Sequence, residues 1–406
     1  MSDNLYFEHT NFPTGLPDEH QSEPMLSTLS LSPNVASRSI QDHSRIRICE
    51  RTAEAVYAVY NFPCMSDYRA YENKFRDLYA SECAKEQNLY VEGSKLLEES
   101  LSPWSLASTP IDALPYLERK VAFTVHSLAA YRKTLRDVEL AKVDLRLLAL
   151  SGISAGIASA AVAAGSISLA DYVSYLKIVT PYQVAAKDKV SLTLKSPDVS
   201  VLYYKLRSAI PELEIVKFIN KDELAIYAPA SDKEFLLSQL RQLSNSHPVQ
   251  ISRLRQFPAA SHSKSMQPHI NAIVRQMHHV PIKFKDPLIP LLSSSCSEQI
   301  VTANQVCSEL LAVLTKPIDN GEFAQRLSEV APAIILETGN GQRLKELATD
   351  NNLSEKLFSD SPEQDFGTLK KYVRRRLLLE NSQDFALQGI KTVRATWIAP
   401  MSLLQD

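Results

Sequence analysis

The chain has 406 residues, 45% of them hydrophobic, with a formal net charge of -2 at pH 7. That is enough for one large domain carrying an insertion, or for two domains. The near-neutral balance gives no global reason to expect nucleic acid or an anionic membrane as partner. The cysteines (Cys49, Cys64, Cys83, Cys296, Cys307) form no C-x-x-C and no Cys/His cluster, which excludes a disulfide framework and a zinc site and fits reduced thiols.

Residues 1–43, rich in Ser, Pro, Asn and Asp, are expected to form a disordered leader without the apolar h-region of a signal peptide. Residues 44–186 are expected to form the first part of a large α/β subdomain. From Arg45 to Ala149 the pattern predicts mainly helices, at "SDYRAYENKFRDLYASECAKEQNLYVEGSKLLEESL" and "PYLERKVAFTVHSLAAYRKTLRD". "VDLRLLALSG" then predicts a buried strand, and "ISAGIASAAVAAG" a small-residue helix packed on a sheet, too short and too alanine-rich to span a bilayer. "SLADYVSYLKIVTPY" predicts a helix with Ser168 as N-cap and Pro181 at its end.

Residues 187–254 predict the order β-α-β-β-α-β, a ferredoxin-like small subdomain inserted in the larger one. Residues 255–348 return to mixed α/β as the second part of the large subdomain. Helices are expected at "SMQPHINAIVRQMHHV" and "NQVCSELLAVLT", strands at "LIPLLSS" and "AIILETG". Residues 349–406 form a polar extension with a basic helix around Lys370, Lys371, Arg374, Arg375 and Arg376, read either as a solvated face or as a dock for an acidic carrier. The whole reads as a cytoplasmic protein with no membrane span.

The chain has only 10 glycines, yet Gly152 and Gly156 flank Ser154 symmetrically in "GISAG", between a predicted strand and a predicted helix. A serine hydroxyl becomes a nucleophile when a base takes its proton and its oxygen stands clear of the backbone. A strand-to-helix elbow meets the second condition, and glycines two residues away on either side relieve the crowding. The same turn leaves the Ala155 N–H at a helix start, facing the position of a developing oxyanion. A tight glycine turn without chemistry is the plain alternative. The base at neutral pH is a histidine. His262, in a loop between a predicted strand and a predicted helix, is the candidate; His278 and His279 look like solvated helix-end residues and His126 a packing residue.

G-x-S-x-G, a helix, a ferredoxin-like insertion and then "SHSKSMQP" occur in that order. Together with "DPLIPLLSSS" and "ILETGNG", this pattern resembles the malonyl-CoA:acyl-carrier-protein transacylases and the acyltransferase domains of polyketide and fatty acid synthases over residues 120–345. The resemblance implies an α/β-hydrolase-like acyltransferase core. Ser154 would accept an acyl group from a thioester, acyl-CoA or acyl-phosphopantetheine, with His262 as base and then acid. The backbone carbonyl of Ser293 or Ser294 would orient the imidazole, and the thiol of an acyl carrier protein would be the acceptor. No bound cofactor and no metal are implied.

Three departures shape the expected specificity. Ile153 replaces the family's histidine in G-H-S-x-G, as the starter-unit transacylases of fungal polyketide synthases also depart there. Val179, 25 residues after Ser154, stands where members that use malonyl groups carry a carboxylate-binding arginine, with Lys177 on a different helix face. The family's F-x-G-Q-G-S-Q loop, which supplies a second oxyanion donor, is replaced by "YNFPCMSDYRAY". With small Ala259 and Ala260 before His262, the acyl pocket formed with Ile153 and Val179 is expected to take an uncharged, starter-type acyl group. An acyl hydrolase that clears carrier proteins, and a catalytically weak docking scaffold, are the alternatives.

Overall fold

In the computed structural model, residues 55–65, 76, 79–80, 84–140, 143–186, 188–245, 248–256, 259–293, 295, 298–330, 332, 334–337 and 357–359 are described. The predicted leader and the basic run at 370–376 lie outside them. Strand β1 (Val56–Phe62) is apolar or aromatic at every position but Asn61, and all of it is buried. It corrects the expectation that this stretch is helical. A strand covered on both faces shows no period-two alternation, so the stripe that would have marked it is missing.

Helices α1 (Ala84–Leu96) and α2 (Pro103–Ser108) lead into α3 (Tyr116–Leu140), which buries Val121, Phe123, Val125 and Leu128. Strand β2 (Leu145–Gly152) follows, then α4 (Ala155–Ala163), whose small residues allow it to lie close to the sheet. Helix α5 (Leu169–Ala185) starts as predicted, with the Ser168 hydroxyl accepting from the Asp171 N–H at 3.0 Å. It does not end at Pro181. The hydrogen bond that proline removes would have come to the carbonyl of Lys177; both residues are exposed, so water can solvate that carbonyl and the helix runs one turn further.

The next elements alternate as read from the sequence: β3 (Lys189–Lys195), α6 (Val199–Ala209), β4 (Glu214–Asn220), β5 (Glu223–Pro229), α7 (Lys233–Ser244) and β6 (Gln250–Gln256). Leu202 and Leu206 of α6 and Leu236 and Leu240 of α7 cover Leu192, Leu194 and Ile226 of the sheet. The returning chain forms α8 (Ile270–His279), β7 (Leu291–Ser293), α9 (Ala303–Thr315), β8 (Ile318–Asp319), α10 (Asn320–Glu329), β9 (Ile334–Glu337) and β10 (Leu357–Ser359). All these elements belong to one compact unit, residues 47–406.

Two sheets result. The larger has the order β10-β9-β1-β2-β7, and each of its named pairings is parallel. Its faces are covered by different elements: Ala58, Tyr60, Leu147 and Leu336 share a core with α3, α4 and α5, while Val59, Ala149, Leu292 and Ile335 pack on Phe323, Ala324 and Leu327 of α10. The smaller sheet has the order β6-β3-β5-β4-β8, antiparallel except where β8 runs parallel to β4. Strand β8, too short to show a pattern in the sequence, ties the smaller sheet to the chain that returns to the larger one. No helix among the described residues is long and apolar enough to cross a membrane.

Phe323 is fully buried under the larger sheet. Phe323→Ala is expected to lower the unfolding free energy by about 3–5 kcal/mol, measured by urea denaturation, because a ring-sized cavity opens against β-strands that cannot collapse into it. A loss below about 1 kcal/mol would contradict this packing.

Candidate active site

Ser154 stands between the end of β2 and the first residue of α4, at the carboxyl edge of the larger sheet. Its backbone has φ 57° and ψ -122°, a strained conformation for a residue with a side chain. The glycines on either side make this turn possible through close packing. A Cβ on Gly152 would lie 2.3 Å from the Gly156 carbonyl carbon, and one on Gly156 would lie 2.3 Å from the Phe62 carbonyl oxygen and 2.7 Å from that of Pro63. These obstacles are backbone atoms of packed elements and cannot swing away. The chain after β1 is therefore held against the elbow although it lacks the glycines expected there.

The Ser154 hydroxyl lies 2.7 Å from His262 Nε2. His262 is 6% exposed and also has positive φ, 57°. Its Nδ1 is 3.1 Å from the carbonyl oxygen of Lys316, the C-cap of α9. A carbonyl only accepts, so Nδ1 carries the proton and Nε2 presents its lone pair to the serine. The role expected of the Ser293 or Ser294 carbonyl is taken by Lys316. The Ser293 carbonyl accepts from the Arg326 guanidinium and its hydroxyl donates to Glu309, while Ser294 lies outside the described residues. The end of α9 competes successfully because its last carbonyls have no partners within the helix.

Three elements hold the histidine loop. The His262 N–H donates to the Val313 carbonyl at 3.2 Å and the Ser263 N–H to that of Leu314 at 3.1 Å, both at the end of α9. Glu214, from β4 of the smaller sheet, accepts from the Ser263 hydroxyl at 2.7 Å and from the Lys264 N–H at 2.6 Å. Gln183 of α5 pairs with Ala260 in both directions: its Nε2 donates to the Ala260 carbonyl at 3.0 Å and its carbonyl accepts from the Ala260 N–H at 2.9 Å.

Burial pushes the His262 pKa down to about 4; the Lys316 carbonyl opposes the shift, while Lys217 and then Lys120 add to it. The imidazole is therefore neutral at physiological pH, the state a general base needs. Ala155 opens α4, so its N–H has no acceptor within the helix. Beneath the elbow, the Ser151 hydroxyl donates to Asn61 Oδ1 at 2.9 Å and Asn61 Nδ2 to Glu337 at 2.8 Å, tying the ends of β2, β1 and β9 together.

The remaining predicted residues are placed as follows. Val179, Ala259 and Ala260 are buried, with Val179 and Ala260 in the core that includes α4 and α5. Ile153 packs instead in the cluster on the opposite face of the sheet, beside Cys64, Leu292 and Phe323, so it anchors the elbow from below and is not an acyl-pocket wall. Lys177 is exposed and paired to Glu98 at 2.7 Å. His278 and His279 are exposed, and His126 is buried with Nδ1 2.9 Å from the Tyr90 hydroxyl. Lys316, Glu214, Gln183 and Lys120 escaped the sequence reading, since three act through long-range side-chain contacts, one through a backbone atom, and none lies in a motif. Among the described residues no group of three His, Cys, Asp or Glu could hold a metal ion.

No protein-family model matches the chain, and no curated protein does. Solved structures are similar in fold. An acyl carrier protein S-malonyltransferase from Vibrio cholerae is 17% identical, over 75% of this chain and 95% of that one, with a TM-score of 0.59. A malonyl-transacylase solved with its type II polyketide synthase acyl-carrier protein is 16% identical, over 79% and 99%, with a TM-score of 0.61. The acyltransferase domain from the second module of the salinomycin polyketide synthase is 15% identical, over 83% and 74%, with a TM-score of 0.59. The chain thus has the α/β fold of the malonyl-CoA:carrier-protein transacylases and polyketide synthase acyltransferase domains.

Two outcomes follow from this geometry. Gly156→Ala is expected to cost about 1–3 kcal/mol in a urea titration, because the new methyl meets fixed backbone; an unchanged midpoint would contradict the close approach. Because the His262 pKa is held near 4 in the fold and near 6.5 in the unfolded chain, its contribution to stability is intact above about pH 6.5 and lost progressively as pH falls towards about 4. The His262 ring resonances are correspondingly expected to stay those of a neutral imidazole from about pH 7 to about pH 5 in an NMR titration. A titration midpoint near 6.5 would contradict it.

Proposed function

We propose that the chain is an acyltransferase that takes an acyl group from a thioester onto Ser154 and passes it to the phosphopantetheine thiol of an acyl carrier protein. The observation carrying this reading is the Ser154–His262 contact at a strained elbow, with the imidazole tautomer set by the Lys316 carbonyl. The acyltransferase fold and a structural neighbour solved with its acyl carrier protein support it.

In the first half-reaction the Ser154 hydroxyl gives its proton to His262 Nε2 as Oγ attacks the thioester carbonyl. The Ala155 N–H faces the oxyanion. The C–S bond then breaks, and the imidazolium returns the proton to the leaving sulfur, leaving an ester on Ser154. The second half-reaction runs the same steps in reverse with the carrier thiol as nucleophile. The imidazolium formed on the way sits at the carbonyl end of α9, where the helix dipole favours positive charge. This offsets part of the burial that keeps the resting imidazole neutral.

The acyl group in this reading is uncharged. Val179 is fully buried and apolar, and Lys177 points outward to Glu98, so α5 offers no cation to a terminal carboxylate. Burying that charge unpaired would be costly.

Intact-mass spectrometry after incubation with acetyl-, hexanoyl-, longer acyl- and malonyl-CoA tests the reading. Adducts from the uncharged donors are expected on the wild type, none on Ser154→Ala, and a rate lower by about a thousandfold or more on His262→Ala. Loss of the adduct on adding a carrier protein, with the acyl group recovered on the carrier, is expected for transfer. Recovery as free acid would establish a hydrolase. A malonyl adduct formed as readily as a hexanoyl one would overturn the uncharged specificity.

A further inference from the structure

Lys120 lies in the second turn of α3, half-buried, with its ammonium donating to Gln183 Oε1 and lying 4.9 Å from the centre of the Tyr116 ring. Gln183 is the residue that pairs with Ala260 in both directions, two positions before His262. It is also four residues beyond Val179 on α5, so the two share one face of that helix. Lys120 is near enough to His262 to disfavour its protonation. The residue between Ala260 and His262, Ser261, lies close to the hydroxyls of Tyr116 and Tyr227. Lys120 is thus enclosed by the groups that border the dyad, on the side of the acyl-pocket residues.

An ammonium there is under-satisfied. It has three donors, one of which is used by a neutral amide, and among the described residues no carboxylate lies within salt-bridge distance. Burial pulls its pKa down to about 7, the direction expected of a lysine with no counter-charge. A structural lysine would point its head to water or to an acid. This one is instead fixed by a buried glutamine that is itself fixed to the histidine loop.

We propose that Lys120, positioned by Gln183, selects the acyl group by donating a hydrogen bond to an oxygen carried on the acyl chain beyond the thioester carbonyl. The inference rests on the acyl-serine reading and deepens it: the group transferred is uncharged but not a plain alkyl chain. A site built to hydrogen-bond a substrate oxygen discriminates strongly against the analogue lacking it, because its own donor is then left unpaired. A single ammonium with one of its donors already engaged suits one acceptor atom, whereas a carboxylate is best met by the two parallel bonds of a guanidinium.

The test is rapid-quench intact-mass measurement of Ser154 labelling on the full chain, with butanoyl-, 3-oxobutanoyl- and malonyl-CoA as donors of nearly equal size. The wild type is expected to label faster with 3-oxobutanoyl than with butanoyl, and Lys120→Met to lower the ratio of those two rates by about tenfold or more. Lys120→Arg should restore part of the ratio. Lys120→Leu provides a second variant without a donor should the methionine variant fail to fold. An equal loss with all three donors, or an unchanged ratio, would overturn the proposal by leaving Lys120 a structural role. Lys120-dependent labelling that favours malonyl would keep the selecting lysine and remove the uncharged specificity. Labelling of a folded wild type by no donor would overturn the acyl-serine reading itself, and the proposal with it.

Discussion

Where β1 ends, the carbonyl oxygen of Phe62 passes so close to the first turn of α4 that one added methyl at Gly156 would lie 2.3 Å from it. That approach lets three pieces of main chain meet at one point: the end of β1, the end of β2 and the start of α4. Ser154 adopts its positive φ because this crossing leaves the chain no relaxed way round. The same crossing frees the Ala155 N–H at the helix start. The Asn61–Ser151–Glu337 hydrogen bonds beneath the elbow then lock the strand ends that carry it. Strain at Ser154 is thus supported by backbone packing and by a buried polar network, and the glycine poverty of the chain makes the two retained glycines more telling.

The histidine reaches this elbow from the opposite direction and is held by different means. Its loop follows β6 of the smaller sheet, bonds to the end of α9, is clamped by Glu214 from β4, and is tied through Ala260 to α5. The dyad therefore exists only where both sheets and α9 are docked together. The α9 carbonyls that a helix cannot satisfy internally become the partners that fix the imidazole. One structural need of the helix, acceptors seeking donors, coincides with one chemical need of the site, a proton fixed on Nδ1.

Charge in the cleft has a consistent sense. Lys217 and Lys120 both disfavour protonation of His262, and burial does so more strongly than either. The resting site is a neutral imidazole beside an ammonium that no acid balances among the described residues. In the proposed reading, such a site suits an incoming group with electron-rich oxygens: the thioester carbonyl at the elbow and an acceptor at Lys120. The apolar Val179 face beside it gives a carboxylate no second partner.

Much of this was legible in the sequence, for identifiable reasons. The G-x-S-x-G spacing, the strand "LRLLAL", the β-α-β-β-α-β order of 187–254 and the loop position of His262 are local patterns, and local patterns follow from backbone geometry and side-chain period. Strand β1 was missed because burial on both faces erases alternation. Ile153 was placed in the acyl pocket because linear adjacency to Ser154 does not say which face of the sheet a side chain enters. The carbonyl that orients His262 was sought at Ser293 and Ser294 and found at Lys316 because every residue has a carbonyl and only packing selects one. Lys120 is one of the chain's many lysines until α3 and α5 bring it onto Gln183. The sequence by itself thus determined the elbow, its serine and the histidine that meets it, which rest on glycine and histidine at fixed spacings. Tertiary structure alone decided how the imidazole is oriented and which lysine meets Gln183, because those depend on contacts between residues 54 and 63 positions apart along the chain.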